Sequence, residues 1–496
     1  MKVGLGAVQE SVEGRKLAAP SSGGLGRRAL RNTALVLSAR VISRLIALVT
    51  VIKTAHHLAP GGFGQYQTLV NYTALVAILV DLGFNTLYVR EGARAPHELE
   101  RYLNNVMSSK AILAVLGLIV LAGALRIPGL GYLFWPGFVL MVLTMYSTLL
   151  RGTFYALQQL RVEAIAIVLE SVILLLLVLA GIRAGAGVAY FLWAYAASYG
   201  FSCLYFMVVI TRRRLVRIGW HLELDFVARW FWTGLPFALT FAITTLYFKI
   251  DVPILQHLRS YQEVGWYGFA YKPFEALLFV PQSMMNVIFP VMSVYYRDSP
   301  RSLHLAVGKF YKALALIGWP ITVGTVVLAA GLSGLLQLYP QSEPALRILG
   351  VGIFFMFVNN AFIALLTSID RQWLFTGAAL GSLVVNLVLN FALIPPFGYL
   401  GAAWATVVTE LALGAFGWYL VRRVLVAVPV WRLSWRILLA GLIMGAVIYW
   451  LRGLHGWAVL VPVAVGMVAY GGALHVLRAI DPDEVELARR ALGRGA

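Results

Sequence analysis

A single cysteine in 496 residues rules out an intrachain disulfide, and Cys203, set in an apolar segment, reads as a packed thiol. Charge is scarce as well: 12% of residues are charged, against about 25% in soluble domains, which excludes an ordinary water-soluble fold. Acidic residues are the scarcest, 21 against 40 Lys and Arg. The GxxxxGK[ST] phosphate loop is missing, since Gly308 and Lys309 lack its other members, and so is HExxH. His56 and His57 are adjacent at a segment end and read as solvated, so no zinc or other metal site is expected. Connections on the exterior side reach no more than about a dozen residues, which leaves little room for a catalytic domain.

What is present is apolar length. With 60% hydrophobic residues and a mean hydropathy of +0.81, the chain reads as an all-α polytopic membrane protein, because a helix satisfies its own backbone in lipid. Fourteen candidate spans follow from hydropathy and breaker residues: 32–54, 67–89, 103–125, 132–157, 161–182, 188–210, 232–256, 264–295, 308–335, 347–369, 372–394, 400–421, 435–451 and 456–478. The net charge of +19 sits at segment ends and forms no stripe on a soluble module, which excludes nucleic acid as a partner. With the amino terminus in the cytoplasm, about 29 of the basic residues fall on the cytoplasmic side and about 5 opposite. That bias puts both termini in the cytoplasm and the chain in the cytoplasmic (inner) membrane.

Charges inside the spans are the candidates for function. In span one, Arg40 and Arg44 lie roughly 13 Å and 20 Å deep and, four residues apart, share a face. Together they imply a penalty of about 6 kcal/mol unless that face meets water or acid, so they are expected to line a polar cavity; the alternative is structural pairing with carboxylates in the bundle. Asp81, about 21 Å into span two, is a candidate partner of these arginines, with a structural bond within the bundle as the equal alternative, while Lys110 is expected to snorkel. Arg161 and Glu163 stand at a span boundary, with Glu170 about 13 Å inside and Glu410 deep in span twelve. Span seven holds Pro236, Lys249, Asp251 and Pro253, and span eight holds Lys272, Pro273, Glu275, Pro281 and Pro290. The prolines predict bent helices. Lys272 and Glu275, three apart, share a face, whereas Lys249 and Asp251, two apart, do not. Asp81, Asp251, Glu275, Glu170 and Glu410 are the candidates for coupling to a proton or sodium gradient or to the membrane potential. The sequon at Asn71 lies within a span and is discounted.

A repeat divides the chain. Gly64-x-Tyr66 follows span one as Gly265-x-Tyr267 follows span seven; Arg161 aligns with Arg371, Trp193-Ala194 with Trp404-Ala405, and Arg212-Arg213 with Arg422-Arg423. The last three pairs share a nearly constant offset, which predicts two six-helix units in parallel orientation, a transporter architecture. The expected organisation is a disordered cytoplasmic tail (1–31), an N-terminal bundle (32–213), a linker (214–231), a C-terminal bundle (232–423), and an extra hairpin with a C-terminal tail (424–496).

The run from Ser38 to Arg94, centred on HHLAPGGFGQY, resembles the opening of the O-antigen and polysaccharide flippases of the multidrug/oligosaccharidyl-lipid/polysaccharide (MOP) exporter superfamily. The run from Trp232 to Ser293, including KIDVPILQHLRSYQEVGWYGFAYKPFEALLFVPQS, is similar to the start of that family's second half. The resemblance implies a V-shaped pair of bundles, like those of multidrug exporters and lipid II flippases, around a cationic cavity formed by spans one, two, seven and eight. It implies a polyprenyl-pyrophosphate-linked oligosaccharide moved from the cytoplasmic to the outer leaflet for cell-surface polysaccharide biosynthesis. Arg40, Arg44, Lys249 and Lys272 would contact the substrate, with no cofactor, and with membrane lipids, a polysaccharide polymerase and glycosyltransferases as partners. The competing readings are a cation-coupled multidrug exporter, a membrane-embedded glycosyltransferase or polymerase, and a structural scaffold.

Overall fold

The computed structural model describes residues 22–127, 129–424 and 428–480, with side chains from Val36 onward apart from Leu37. Helices α1 (Ser22–Asp81) and α2 (Phe84–Arg94) carry spans one and two. Spans three to six are α3 (Leu99–Ala124), α4 (Phe134–Ala156), α5 (Leu160–Arg183) and α6 (Val188–Arg212). Span seven is α7 (Leu224–Lys249) continued by α8 (Asp251–Leu258), and span eight is α9 (Tyr261–Leu277) continued by α10 (Phe279–Asp298). Then come α11 (Pro300–Val327) with the short α12 (Ala329–Leu335), α13 (Ser342–Ser368), α14 (Gln372–Phe397) and α15 (Tyr399–Val424). Helices α16 (Val430–Tyr449) and α17 (Leu460–Val476) form the final hairpin.

Among the described residues thirteen helical stretches are long and apolar enough to cross a membrane, against fourteen expected spans, because the first stretch joins two helices across a kink. The difference lies at the start. The stretch Ser38–Asp81 has 44 residues, twice what a bilayer needs at ~1.5 Å per residue, and Ala59 (φ 56, ψ 171) bends it. Pro60 disfavours helical geometry in the residue before it, so the stretch is two helices meeting at Ala59, which carry the first expected span and most of the second. Helix α1 also begins at Ser22, inside the segment expected to be a tail; residues 1–21, the rest of that expectation, lie outside the described residues, as do 481–496 of the C-terminal tail.

Spans seven and eight break ahead of two of their five prolines, and in the same way, while the helices run on through Pro236, Pro273 and Pro290. Each interruption, at Ile250 and at Leu278, comes three residues before a proline, Pro253 and Pro281. A proline cannot donate to the carbonyl four residues back, so the turn ahead of it loses a bond and gives way.

The two halves meet in a reciprocal contact beside the Ala59 bend. A Cβ added at Gly64 would collide with the backbone carbonyl of Tyr261, and one added at Gly265 would collide with that of Pro60. Tyr261 stands four residues before Gly265 and Pro60 four before Gly64, so each repeat presents the same glycine to the same position of the other, as in a two-fold interface. Helices α1 and α9 are accordingly in extensive contact. On the opposite face, α2 and α7 approach at Gly83 (φ 74), where a Cβ would stand 2.6 Å from the Gly234 carbonyl.

The linker lies on that second face and is clasped by α3. Arg101, Asn104, Asn105 and Ser108 recur at helical spacing and so share one side. Asn104 donates to the Arg217 carbonyl (3.1 Å) and accepts from Gly219 N–H (2.9 Å). Ser108 accepts from His221 N–H (3.0 Å), and Asn105 from Glu223 N–H (2.7 Å). The final hairpin packs on the second half through α11: Tyr311 pairs with Ser434 (3.0 Å), Trp319 donates to the Leu438 carbonyl (3.0 Å) and Tyr470 to that of Leu316 (3.0 Å).

Candidate functional site

In the first half the intramembrane charges pair. Arg40 reaches Tyr155 (2.8 Å) and Glu163 (3.4 Å), and Tyr155 also donates to Glu163, whose side chain is only 1% exposed. Because Glu163 lies in the first turn of α5, Arg40 is drawn toward the linker face and away from mid-span. Asp81 does not partner the arginines: Lys110 donates to it at 2.6 Å. Lys110 is fully buried rather than snorkelling, since the carboxylate on the adjoining helix supplies what the headgroups would have. Glu170 accepts from Arg151 (2.9 Å) and Ser202 (2.5 Å).

Arg44 behaves differently. Ser43 meets Ser171 (2.5 Å), which sets Arg44 level with the middle of α5. It is exposed, and among the described residues it makes no hydrogen bond or ion pair. Together with Glu170 and Glu275 it lies within electrostatic reach of Tyr195, so spans one, five, six and eight converge there.

In the second half Lys249 (3.1 Å) and Lys272 (3.0 Å) hold the two oxygens of Glu275. These side chains keep 25%, 23% and 29% of their surface accessible, so the cluster is part-buried rather than sealed in a dry core. Lys249 and Asp251 face apart, as their spacing predicts. Asp251 is buried, accepting from the Tyr267 hydroxyl, the Thr406 hydroxyl and the Asn390 amide, each at 2.9 Å. Glu410 is buried against Asn359 (2.9 Å). Among the described residues neither Asp251 nor Glu410 has a cationic partner, unlike Asp81, Glu170 and Glu275.

Around the convergence point Arg44, Arg151, Lys249 and Lys272 stand against Glu170 and Glu275, an excess of two positive charges. Arg44 also borders an apolar groove of about 790 Å³. The groove runs between span one, Pro273 to Val280 of span eight, α11 and the final hairpin as far as Gly471. The hairpin, expected as an appendage, thus forms a wall of this groove.

Several of these residues escape a reading by depth alone. Arg151, five residues from the end of α4, is shallower by position than the charges singled out, and its role shows only in its bond to Glu170. Asn359 and Asn390 stand out only as amides in apolar spans, and Glu163 and Tyr155 become partners of Arg40 only once α1 is known to pack on α5.

The family described as "Polysaccharide biosynthesis protein" matches residues 29–295, and the one described as "Lipid II flippase MurJ" matches residues 276–467. The fold is similar to that of the lipid II flippase MurJ in an inward closed conformation, with a TM-score of 0.72 and 13% identity over 89% of this chain and 98% of that one. It is also similar to a multidrug resistance MATE family transporter, inward-facing, with a TM-score of 0.62 and 14% identity over 79% of this chain and 97% of that one. An outward-facing MATE family transporter gives a TM-score of 0.55 and 16% identity, with 81% and 96% covered. At these identities the likeness is one of fold. No curated protein matches the sequence.

Proposed function

The chain belongs to the polysaccharide biosynthesis protein family, which it matches over more than half its length, and from that premise we propose that it is a flippase for a polyprenyl-pyrophosphate-linked oligosaccharide. The observation that carries the reading is the position of Arg44, between a cluster of charged side chains with an excess of two positive charges and a long apolar groove. A substrate that fits both has an anionic head and a hydrocarbon tail. A pyrophosphate bears about two negative charges, which cannot cross hydrocarbon unaccompanied, and guanidinium forks suit its oxygens. Lys249 and Lys272 receive it next, exchanging Glu275 for phosphate, while the tail stays in the groove. Arg40, paired to Glu163, serves the entrance.

Movement is from the cytoplasmic to the outer leaflet of the inner membrane, with the linker face cytoplasmic, as the basic-residue bias indicates. The halves touch through backbone at Gly64 and Gly265 on the far side, and this closed contact opens as the bundles rock. Asp251, with three neutral donors and no cation of its own, is the position that a coupling ion would neutralise. A lipophilic cation, the cargo of a multidrug exporter, is repelled by the same excess charge.

The test is leaflet exchange of a labelled lipid-linked oligosaccharide in reconstituted vesicles. Arg44→Ala keeps its melting temperature and loses at least about tenfold in rate, equivalent to about 1.4 kcal/mol. Arg40→Ala instead lowers stability, because it strands Glu163. Wild-type exchange by Arg44→Ala refutes the assignment.

A further inference from the structure

Within the second half, separate from the charged cluster and from Asp251, lies a cavity of about 360 Å³ with Thr244, Tyr247, Gln282, Asn286, Asn359 and Glu410 among its lining residues. Glu410 is 3% exposed and Asn359 3% exposed. The Asn359 amide donates both to the Glu410 carboxyl (2.9 Å) and to the Glu410 backbone carbonyl (3.0 Å), which fixes the amide and turns its N–H group toward the acid. The amide oxygen and the Tyr247 hydroxyl are buried there without a hydrogen-bond partner of ordinary geometry.

The charged and titratable groups facing Glu410 are few. Tyr247 comes from α7 and Tyr271, within electrostatic reach, from α9; α10, α13 and α14 line the cavity with amides and apolar side chains. No Lys or Arg is paired with it among the described residues. An ionised carboxylate buried without a counter-charge is disfavoured by several kcal/mol, so some positive species must sit on it. A divalent metal ion is a poor match: the Asn359 amide turns its N–H and not its oxygen to the carboxyl, Glu410 is the one carboxylate lining the cavity, and no cluster of three or more His, Cys, Asp or Glu occurs among the described residues. A proton needs one acceptor only.

We propose that Glu410 is a proton-binding site of the second half, distinct from the Asp251 position, which exchanges its proton through this cavity. Its placement gives the proton something to act on. The cavity is lined by Leu278, the break in span eight, and by Thr244, Tyr247 and Phe248, just ahead of the break in span seven. Loss of the proton would draw donors toward the carboxylate from the walls that carry both bends; this consequence, unlike the site itself, rests on the transporter reading.

Infrared difference spectroscopy on the full chain in lipid nanodiscs tests the site without any substrate. The carbonyl stretch of a protonated carboxylic acid should be present at neutral pH, shift in heavy water, and disappear in Glu410→Gln. It should persist in Asp251→Asn and in Glu170→Gln, and sodium at fixed pH should leave it unchanged. Glutamine has the shape of protonated glutamate, so Glu410→Gln should melt with the wild type. If that variant does not fold, Asn359→Ala, which removes the amide donor, must shift the same band. A band that survives Glu410→Gln, is removed by sodium, or is unmoved by Asn359→Ala overturns the proposal.

Discussion

Lys249 and Glu275 join the two broken spans across 3.1 Å, one residue ahead of the break in span seven and three ahead of the break in span eight. Lys272 occupies the second carboxylate oxygen. Glu275→Gln leaves two lysines facing each other with a neutral amide in place of their shared counter-charge. Since the group is about a quarter exposed, water screens part of the repulsion, and the expected loss is about 1–2 kcal/mol. Inorganic pyrophosphate should restore more stability to this variant than to the wild type, because the ligand then binds a site emptied of its internal anion. Melting curves with and without pyrophosphate read this directly, and an equal gain in both proteins counts against the exchange of Glu275 for phosphate.

The Asp81–Lys110 pair is structural. Lys110→Met should destabilise by about 3–5 kcal/mol, because it strands a buried carboxylate, while Lys110→Met with Asp81→Leu should recover most of that loss. A double-mutant cycle in detergent measures it. Additive effects of the two changes would mean that the pair is not coupled.

Gly64→Ala and Gly265→Ala should act alike, since each drives a methyl group into the other half's backbone. Both should part the halves beside the Ala59 bend and raise labelling of a cysteine placed at Gly129, which lies beside the Tyr261 ring. Labelling that rises in one variant only would break the two-fold relation.

The linker clasp supplies a prediction in pH. Arg101 and, after it, Asn105 hydrogen-bond the Glu223 carboxylate and lower its pKa to about 2. A depressed carboxylate pKa contributes stability above the unfolded value and loses it as pH falls through the folded one. The clasp should therefore hold without change from pH 9 to about pH 5, and release only in strong acid, toward pH 2. Hydrogen exchange at Gly219 and Glu223 across that range checks it, and a release near neutral pH would contradict the assignment.

Depth and period were legible in the sequence; neighbours were not. Arg40 and Arg44 look equivalent, one turn apart in the same apolar run, yet one faces the start of α5 and finds Glu163 while the other opens onto the groove. That distinction is set by which helix packs on α1, a long-range fact that no local pattern encodes. Likewise Lys110 has the depth of a snorkelling lysine, and only the adjoining Asp81 makes full burial tolerable. Pro253 and Pro281 did announce the breaks of spans seven and eight, because a missing N–H acts locally, whereas Pro236, Pro273 and Pro290 are carried within their helices. The Gly-x-Tyr repeat was visible as a repeat, but its meaning required seeing that each glycine touches the opposite copy.

The clasped linker leaves almost no slack in the leash between the lobes. Although the connecting segment is long enough to let them drift apart, its backbone is stitched to α3 from Arg217 to Glu223, and α7 starts at the very next residue. On the proposed rocking of the bundles, the second lobe would swing about that joint as a lever about a fulcrum, with its stroke fixed by where the stitching ends.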